Sequence, residues 1–319
     1  MIDSYRIFHV RVSGLKRLSP SFLRVTFTGD DLGLFADNGL DQRIKLILPL
    51  PGHGLAHLPT GSDWYTRWRS LPGELRNPVR TYTARAVRPE LREVDIDIVM
   101  HGVTDGVTAG AADGAADEAY GDAGHAAGWA HRARPGDEVA LLGPDARYDG
   151  DHGGIEFRLP SGNGPVLLAG DETAVPAIAS ILEGMPRDRS GEALLEVPHR
   201  ADVLDVDAPD GVTVTWLPRD GAEHGSRLVP AVRAAADRLL PEPSSSRGFT
   251  DVDVDVDELW EVPEETRTAR PVYAWLAGEA SVIRTLRRHL VAERGLDRQS
   301  VAFMGYWRIG RAERQAPTG

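Results

Sequence analysis

The hydrophobic pattern of this 319-residue chain changes near residue 165. Before that point, short segments alternate between apolar and polar residues and are separated by Gly, Pro and Asp, as is typical of β-strands joined by turns. After it, apolar runs alternate with helix-like stretches, which is typical of a parallel sheet with helices on its faces. The sequence therefore predicts two domains of different architecture, and the chain is long enough for each to bury its own core.

The first predicted domain covers residues 1–150 and is an antiparallel six-stranded β-barrel. A Pro135-Gly136-Asp137 turn before the last strand supports this interpretation. A Gly/Ala/Asp-rich stretch at about 104–124 is interpreted as a flexible surface insertion, and a lid over a bound cofactor is the alternative. The strand candidates are residues 5–12, 22–28, 44–48, 81–87, 93–99 and 138–142.

The second predicted domain covers residues 164–319 and has an α/β architecture with a parallel sheet. It carries an acidic stretch at about 241–271, which includes a run of alternating Asp and Val. The alternation imitates a strand, but the charge density favours a loop, so the stretch is interpreted as an insertion. The strand candidates are residues 166–169, 193–197, 212–217, 272–277 and 301–306, and the helix candidates are residues 174–185, 228–239 and 280–293.

The composition excludes several classes of protein. The chain has no cysteine, which rules out disulfides, cysteine-ligated zinc and cysteine-ligated iron–sulfur clusters, so redox chemistry would need an organic cofactor. Its net charge of −12 argues against nucleic acid as a partner, because phosphate contacts need clustered cations. No apolar run approaches the roughly 20 residues of a membrane-spanning helix, and no secretory signal is visible, so we expect a cytoplasmic protein without membrane insertion.

The first candidate ligand site is the Arg80-Thr81-Tyr82-Thr83 motif in the strand-rich half. Arg80 offers a planar fork of donors for a pyrophosphate, and Tyr82, on the same strand face, offers a flat ring for stacking. Thr83 points to the opposite face, but a strand end or a bulge would bring its hydroxyl or N–H group to the same ligand. The alternative is an edge strand of residues that favour β-structure.

Two further segments of the first half have features of a cofactor pocket. Residues 97–102 end a strand with His101 and Gly102, and the glycine allows close backbone approach to a ligand. Residues 124–130 are predicted to begin a short helix whose free N–H groups receive a phosphate. The alternatives are a structural or surface histidine and a helix that is packed by Trp129 and binds nothing.

The second candidate ligand site is a pair of strand-to-helix turns in the α/β half. Gly170-Asp171-Glu172-Thr173-Ala174 follows an apolar strand, and Gly278-Glu279 repeats the arrangement later in the chain. Both turns follow parallel strands, so they lie at the sheet edge where α/β proteins bind ligands. Only one glycine stands where dinucleotide-binding turns have three, and a plain turn is the alternative for either motif alone. The two turns together favour a nucleotide site.

Together with further motifs, such as Gly305-Tyr306-Trp307-Arg308, these motifs form a set. The set covers nearly the whole chain apart from the two insertions. The segments of the set are residues 80–83, 97–102, 129–130, 135–137, 143–144, 170–176, 275–281 and 305–310. The set resembles the siderophore-interacting protein family, the flavin-dependent ferric-siderophore reductases of the ferredoxin-reductase-like superfamily. The resemblance implies an N-terminal FAD-binding barrel, a C-terminal NAD(P)H-binding domain, and reduction of a ferric siderophore that frees Fe(II).

The resemblance also implies roles for individual residues. Tyr82 and Thr83 are expected at the flavin ring as the catalytic residues, while Lys45 and Arg308 attract the anionic ferric siderophore and no residue binds a resident metal. For FAD, the resemblance implies Arg80, Thr81, Tyr82, Thr83, Asp97, Ile98, Val99, His101, Gly102, Ala126, Ala127 and Trp129. For NADPH or NADH it implies Asp171, Glu172, Thr173 and Ala174, to which the two turns add Gly170, Gly278 and Glu279. Arg200 and Arg219 are candidate partners of a 2′-phosphate.

One position departs from the family pattern. Ala127 stands where the family usually has a serine. Without the serine hydroxyl, one hydrogen bond to the phosphate is lost, which costs about 1 kcal/mol of binding free energy. We therefore expect weaker FAD binding unless backbone N–H groups take over this contact.

Two other functions stay open at this point. One is a different flavin-dependent reductase, such as a free-flavin reductase or the electron-transfer partner of an oxygenase. The other is a siderophore-binding or iron-handling protein that has lost catalysis. For Lys45 itself, the alternative to a substrate contact is a solvated strand charge. The absence of iron–sulfur cysteines and the ending at residues 305–310 favour the siderophore reductase, which we expect to be a monomer.

Overall fold

The structure is a computed structural model that describes residues 2–100, 124–159, 162–240, 259–263 and 272–309. These residues form two compact units, called unit 1 and unit 2, and the chain passes from one to the other between Gly154 and Ile155. The predicted insertions at about 104–124 and 241–271 lie outside the described residues, except for Gly124 and residues 259–263. No helix in the described part of the chain is long and apolar enough to cross a membrane.

Unit 1 is built on a barrel-like antiparallel sheet of seven strands, not the predicted six. The sequence predicts one strand over residues 81–87, whereas the structure has two. Ala84 N donates to the carbonyl of Gln42 and Arg85 N donates to that of Asp95, both at 2.9 Å, so the chain changes partner strand between these two residues. In chain order the strands are β1 (Tyr5–Arg17), β2 (Phe22–Thr28), β3 (Arg43–Ile47), β4 (Val79–Thr83), β5 (Ala86–Arg88), β6 (Glu93–Val99) and β7 (Glu138–Pro144), and their order in the sheet is β4-β3-β7-β1-β2-β6-β5.

Both faces of this sheet are covered near β3. Alternation along the strands places Ile44 and Leu46 in the main apolar core, together with Phe8 and Phe27. On the other face, a smaller cluster is formed around Trp68, a fully buried residue of the first helix. The helices of unit 1 are α1 (Trp64–Arg69) and α2 (Gly124–Arg132), with 3-10 turns at Asp30–Leu34 and Gly73–Leu75.

Unit 2 contains a sheet of six strands, five of which are parallel neighbours. The sixth strand lies at one edge of the sheet, pairs antiparallel with the strand Val301–Trp307, and falls in the stretch that the sequence predicts to be a loop. That prediction is wrong for Trp260 and Glu261, because the Trp260 ring stacks on Tyr306 at 5.9 Å and Leu259 beside it is buried. The strands are β8 (Val166–Gly170), β9 (Ser190–Val197), β10 (Gly211–Pro218), β11 (Trp260–Glu261), β12 (Tyr273–Glu279) and β13 (Val301–Trp307), in the order β10-β9-β8-β12-β13-β11.

The helices of unit 2 pack on its sheet and define the edge where the candidate turns lie. Every residue of β8 and β12 is buried, as expected of central strands covered on both faces. Because β8, β12 and β13 are parallel neighbours, their carboxyl ends meet at one edge. The helices are α3 (Val175–Gly184), α4 (Leu228–Leu239) and α5 (Ala280–Arg287), which continues as a π-helix over Arg288–Glu293, and 3-10 turns lie at Arg200–Asp202 and Arg298–Ser300.

Candidate functional site

Strand β4 presents the Arg80 and Tyr82 side chains on one face of its sheet. In the antiparallel pairing with β3, Tyr82 lies opposite Ile44 and Arg80 lies opposite Leu46, and both partners belong to the main core of unit 1. The Tyr82 ring packs against that core and stays partly exposed. The two side chains are about 6.6 Å apart along the strand, so a guanidinium group and an aromatic ring border the same stretch of surface.

The opposite face of the same strands carries Lys45, Thr81 and Thr83. Lys45 lies opposite Thr81 in the register, and its Nζ atom donates a hydrogen bond of 2.7 Å to the Thr81 Oγ1 atom. Thr83 is buried, with 7% of its surface exposed. The predicted substrate lysine therefore lies across the sheet from the Tyr82 ring. Thr83 can offer its backbone, but not its buried hydroxyl, to a ligand on the Tyr82 face.

The Asp97 carboxylate is engaged by two arginines of unit 1. Arg24 donates to it with Nε at 2.7 Å and Nη2 at 2.8 Å, and the Arg85 Nε atom lies 3.7 Å away. Ile98 points into the main core, while Val99 is half-buried. The side chains of Asp97 and Ile98 therefore serve an ion pair and the core, and their contact with FAD stays a prediction. His101 and Gly102 lie outside the described residues.

Helix α2 packs its alanines against unit 1. Ala126 and Ala127 are buried, and the Trp129 ring stacks on Phe27 with a centroid distance of 6.2 Å and an interplanar angle of 16°. This packing matches the alternative that the sequence left open, a helix held by Trp129. A phosphate contact at its first turn stays a prediction.

The β8–α3 turn in unit 2 is tight and leaves no room for a side chain at Gly170. A Cβ atom at this position would lie 2.4 Å from the Ala174 Cβ atom and 2.6 Å from the Ala277 carbonyl oxygen. The Ala174 N–H group donates to the Asp171 carbonyl at 2.9 Å, and the Thr173 N–H group donates to the Asp171 carboxylate at 2.9 Å. The turn therefore uses two of its own N–H groups internally.

The carboxylate of Asp171 is buried and joins three parts of the chain. Its Oδ1 atom accepts from the N–H and hydroxyl groups of Thr173, while its Oδ2 atom accepts from Glu279 N at 2.7 Å and from Trp307 Nε1 at 2.8 Å. Burial, and then the nearby charge of Glu172, raise the pKa of Asp171 to about 7, although the hydrogen bonds from Thr173 and Trp307 act to lower it.

Glu172 belongs to a second buried set, formed with Arg219 and Glu196. Arg219 donates to both Glu172 oxygens, at 2.6 and 2.7 Å, and lies 3.4 Å from a Glu196 oxygen. Its side chain is 6% exposed and those of the two glutamates are fully buried. Arg219 therefore differs from the prediction, because a guanidinium committed to two carboxylates is not placed to bind a 2′-phosphate. Arg200, the other candidate, is exposed on the turn after β9.

The β12–α5 turn complements the first one. Gly278 has φ of +148°, and a Cβ atom there would lie 2.7 Å from the Asp171 Oδ2 atom, so a glycine is required beside the carboxylate. Glu279 caps α5 by accepting from Ser281 N at 2.7 Å and Val282 N at 3.0 Å. Burial alone would raise the pKa of Glu279, but hydrogen bonds from the Ser281 hydroxyl and from the backbone N–H groups of Val282, Ile309 and Ser281 hold it below its usual value.

Two residues of this edge, Glu196 and His224, have no role in the sequence prediction. Glu196 accepts from three backbone N–H groups at residues 225–228, where α4 begins. The His224 ring meets the Trp307 ring edge-on at 4.8 Å. Burial, and then the charge of Arg219, lower the pKa of His224. Glu196 could have been found in the sequence as an acidic residue inside an apolar strand. His224 could have been found as part of a polar segment that follows a parallel strand.

One oxygen or nitrogen from each of Asp171, Glu172 and His224 lies within 4.8 Å of the others, a spacing that a metal ion could use. The two carboxylates already accept from donors of the protein, and Arg219 supplies the positive charge. The donor set therefore describes an internal polar network better than a cation site. Arg308 follows Trp307 and is half-buried.

Family models match both units. Residues 11–148 match the siderophore-interacting FAD-binding domain, and residues 164–310 match the siderophore-interacting protein model. An uncharacterized protein of Mycobacterium tuberculosis is 32% identical over 305 residues, which cover 95% of this chain and 90% of the relative. Ferric vibriobactin reductase ViuB of Vibrio cholerae is 29% identical, over 93% of this chain and 88% of its own length. The NADPH-dependent ferric-chelate reductase of Escherichia coli is 26% identical, over 96% and 94%.

Solved structures give the same assignment. A siderophore utilization protein from T. fusca superposes with a TM-score of 0.69 and 27% identity, over 99% of this chain and 97% of that one. The ferredoxin reductase of carbazole 1,9a-dioxygenase has a TM-score of 0.56 at 15% identity, over 95% of this chain and 70% of that one, which shows a ferredoxin-reductase-like two-domain fold. With its sequence motifs, both family models and its relatives in agreement, the chain belongs to the siderophore-interacting protein family.

Proposed function

We propose that this protein is a flavoenzyme that uses NADPH or NADH to reduce ferric siderophores and so releases Fe(II) for assimilation. The observation that carries the proposal is the division of the chain into a flavin-type half and a nucleotide-type half. Arg80 and Tyr82 share a face in the first half, and the Gly170 and Gly278 turns converge on Asp171 in the second. The names of the Vibrio cholerae and Escherichia coli relatives support the same reaction.

The residues of unit 1 fit FAD. The Arg80 guanidinium suits the diphosphate, and the half-exposed Tyr82 ring suits stacking on the isoalloxazine. FAD, when bound, accepts an electron pair as hydride and gives up electrons singly, which is the conversion that a nicotinamide donor and an Fe(III) acceptor require. The chain's part is to hold the ring on the Tyr82 face, with the Thr83 backbone at the end of β4.

The residues of unit 2 fit the nicotinamide end of the coenzyme. The edge at residues 170–174 is acidic, and two of its N–H groups are used internally, so it suits an uncharged ring better than a diphosphate. Gly170 and Gly278 allow the two turns to pack closely at this edge, because a side chain at either position would clash with protein atoms. We assign the 2′-phosphate of NADPH to Arg200, because Arg219 is buried in its ion pairs.

The substrate contacts in this proposal are Lys45 and Arg308. A chain with a net charge of −12 needs local cations to attract an anionic chelate. Fe(III) binds anionic oxygen donors more strongly than Fe(II) does, so reduction weakens the chelate. One hydride supplies the two electrons that reduce two ferric chelates, and one proton is left over. The cytoplasmic location, the monomeric state and the absence of nucleic acid as a partner stay predictions.

The stoichiometry of the reaction tests this function. The purified protein is reconstituted with FAD and supplied with NADPH or NADH, a ferric siderophore and a coloured ferrous trap. We expect two trapped Fe(II) for each nucleotide oxidised, with a lower KM for NADPH than for NADH. Nucleotide oxidation without Fe(II) would indicate a different flavin-dependent reductase. Siderophore binding without nucleotide oxidation would indicate a binding protein.

A further inference from the structure

The C-terminal strand of unit 2 is tied to the β8–α3 turn through one carboxylate. Trp307 ends β13 and lies opposite Glu279 in the parallel register with β12. The Asp171 Oδ2 atom accepts from both of these residues, from Trp307 Nε1 at 2.8 Å and Glu279 N at 2.7 Å. Three segments that are far apart in the chain therefore meet at one buried oxygen.

The hydrogen-bond pattern around Asp171 favours an ionised carboxylate. All of its neighbours in contact are donors: the N–H and hydroxyl groups of Thr173, the Glu279 N–H group and the Trp307 Nε1–H group. A protonated carboxyl group has a hydrogen of its own to donate, and among these partners only the Thr173 hydroxyl can accept it. Protonation would therefore remove the charge that strengthens the contacts from Glu279 and Trp307.

The Asp171 contact orients the Trp307 ring, while the pairing of Trp307 with Glu279 and the hydrogen bond of 3.4 Å from Ile309 N to Glu279 Oε1 hold the backbone nearby. On one side the Trp307 ring meets His224 edge-on at 4.8 Å, and its only polar atom donates to Asp171. The residue that follows is Arg308, which the proposed function assigns to the ferric chelate. Arg308 is therefore the first residue after the strand end that the Trp307 ring anchors to Asp171.

We infer that Asp171 is a positioning residue that holds Trp307, and through it Arg308, in the geometry that binds the ferric chelate. The inference rests on the proposed function for the role of Arg308, while the Asp171–Trp307 contact itself does not. Asp171 thereby makes chelate binding depend on the same turn that we assign to the nicotinamide.

The electrostatic surroundings make this contact sensitive to pH. Burial and Glu172 raise the pKa of Asp171 to about 7, so its charge changes close to neutrality. As the pH falls through this value, the carboxyl group gains a proton and the Trp307 contact weakens. The other titratable or charged groups around it are Glu172, Arg219, His224 and Glu279.

The test compares Trp307→Phe and Asp171→Asn with wild type, all loaded with FAD. Trp307→Phe removes the Nε1–H donor but keeps a ring against His224, so it isolates the hydrogen bond. We expect KM for the ferric siderophore to rise about tenfold, the equivalent of a hydrogen bond of about 1.4 kcal/mol to a charged group, with a smaller change in kcat. Trp260→Phe is the matched control, because that ring stacks on Tyr306 and should leave KM unchanged.

The pH profile separates positioning from a general structural effect. For wild type, KM for the chelate should rise as the pH falls from about 8 to about 6, whereas both variants should show a flatter profile. An unchanged KM and an unchanged profile in Trp307→Phe would overturn the inference. If Asp171→Asn does not fold, Trp307→Phe alone decides the outcome.

A readout without turnover keeps this test separate from the proposed function. The fluorescence of Trp307 is obtained as the difference between the emission of wild type and that of Trp307→Phe. This difference is measured from about pH 5 to about pH 9. A midpoint near neutrality that disappears in Asp171→Asn supports the contact even if the protein reduces no siderophore. Emission that does not respond to pH in this range overturns it even if the reductase activity is present.

Discussion

The two candidate ligand sites of this protein use their side chains in opposite ways. In unit 1, Arg80 and Tyr82 stand partly exposed on one face of a strand, with the ring packed on the core beneath it. In unit 2, the acidic residues of the motif are buried and bind other parts of the chain, as Glu172 binds Arg219. The first site is built to contact a ligand with side chains. The acidic side chains of the second site instead hold the turns at the sheet edge in place.

The comparison predicts that substitutions in the two units affect different properties of the protein. Substitutions in unit 1 should weaken ligand binding and leave the free energy of unfolding nearly unchanged. Substitutions in unit 2 should lower the free energy of unfolding before they affect binding. Four variants test this difference.

The largest effect is expected for Arg219→Met. It removes the cation between Glu172 and Glu196 and leaves two buried carboxylates without their partner, which should lower the free energy of unfolding by about 3–5 kcal/mol. Denaturant unfolding of the variant and wild type measures the loss. Arg238→Ala is the control, because its pair with Glu192 is on the surface and should contribute at most about 1 kcal/mol. Equal losses in the two variants would contradict the buried network.

Arg80→Ala should act on FAD and not on stability. Loss of a hydrogen-bonding charge should weaken FAD binding by about 1.5–3 kcal/mol, or roughly 10- to 100-fold, as measured by titration of the apoprotein with FAD. The unfolding free energy of the apoprotein should change by less than about 0.5 kcal/mol. An unfolded variant, or an unchanged affinity for FAD, would remove Arg80 from the flavin site.

Gly278→Ala tests whether the backbone at Gly278 must lie close to the Asp171 carboxylate. The added Cβ atom would lie 2.7 Å from the Asp171 Oδ2 atom, at a φ that alanine rarely adopts, so we expect a loss of about 1–3 kcal/mol in unfolding free energy. Gly73→Ala is the matched control, since a Cβ atom there would meet nothing within 4 Å. The same small effect in both variants would mean that the Asp171 contact tolerates displacement.

The smallest effect is expected for Ala127→Ser. If the start of α2 binds phosphate, the new hydroxyl should strengthen FAD binding by about 1 kcal/mol, close to fivefold. If Ala127 only packs, a buried hydroxyl without a partner should instead lower the unfolding free energy and leave FAD affinity unchanged. The FAD titration and the unfolding curve together distinguish the two interpretations of the helix.

The sequence was sufficient to predict elements whose hydrophobic period is clear. The parallel strands of unit 2 and the long strands of unit 1 show such periods. The break between β4 and β5 was not predictable, because Ala84 and Arg85 are hydrogen-bonded to different strands without any turn signal. Strand β11 was missed because the residues around it are acidic and therefore indicate a loop. The contact between Trp260 and Tyr306 that stabilises the strand joins residues far apart in the chain.

The sequence predicted those parts of the candidate site that lie within short motifs, but not the contacts between distant segments. The turns at Gly170 and Gly278 follow parallel strands, so their position at one edge could be inferred. Asp171 and Trp307 are 136 residues apart, and only the fold reveals their contact. Arg219 was misassigned for the same reason, since its burial between two glutamates depends on residues from three strand ends.

The most direct test of the proposed electron path is an anaerobic absorbance experiment on FAD-loaded protein. NADPH is added first, and a ferric siderophore is added after the flavin spectrum is stable. We predict loss of the oxidised flavin absorbance on the first addition and its full return on the second, with Fe(II) trapped in proportion. A flavin that never bleaches with NADPH or NADH, or that bleaches and does not respond to the ferric siderophore, would contradict the account.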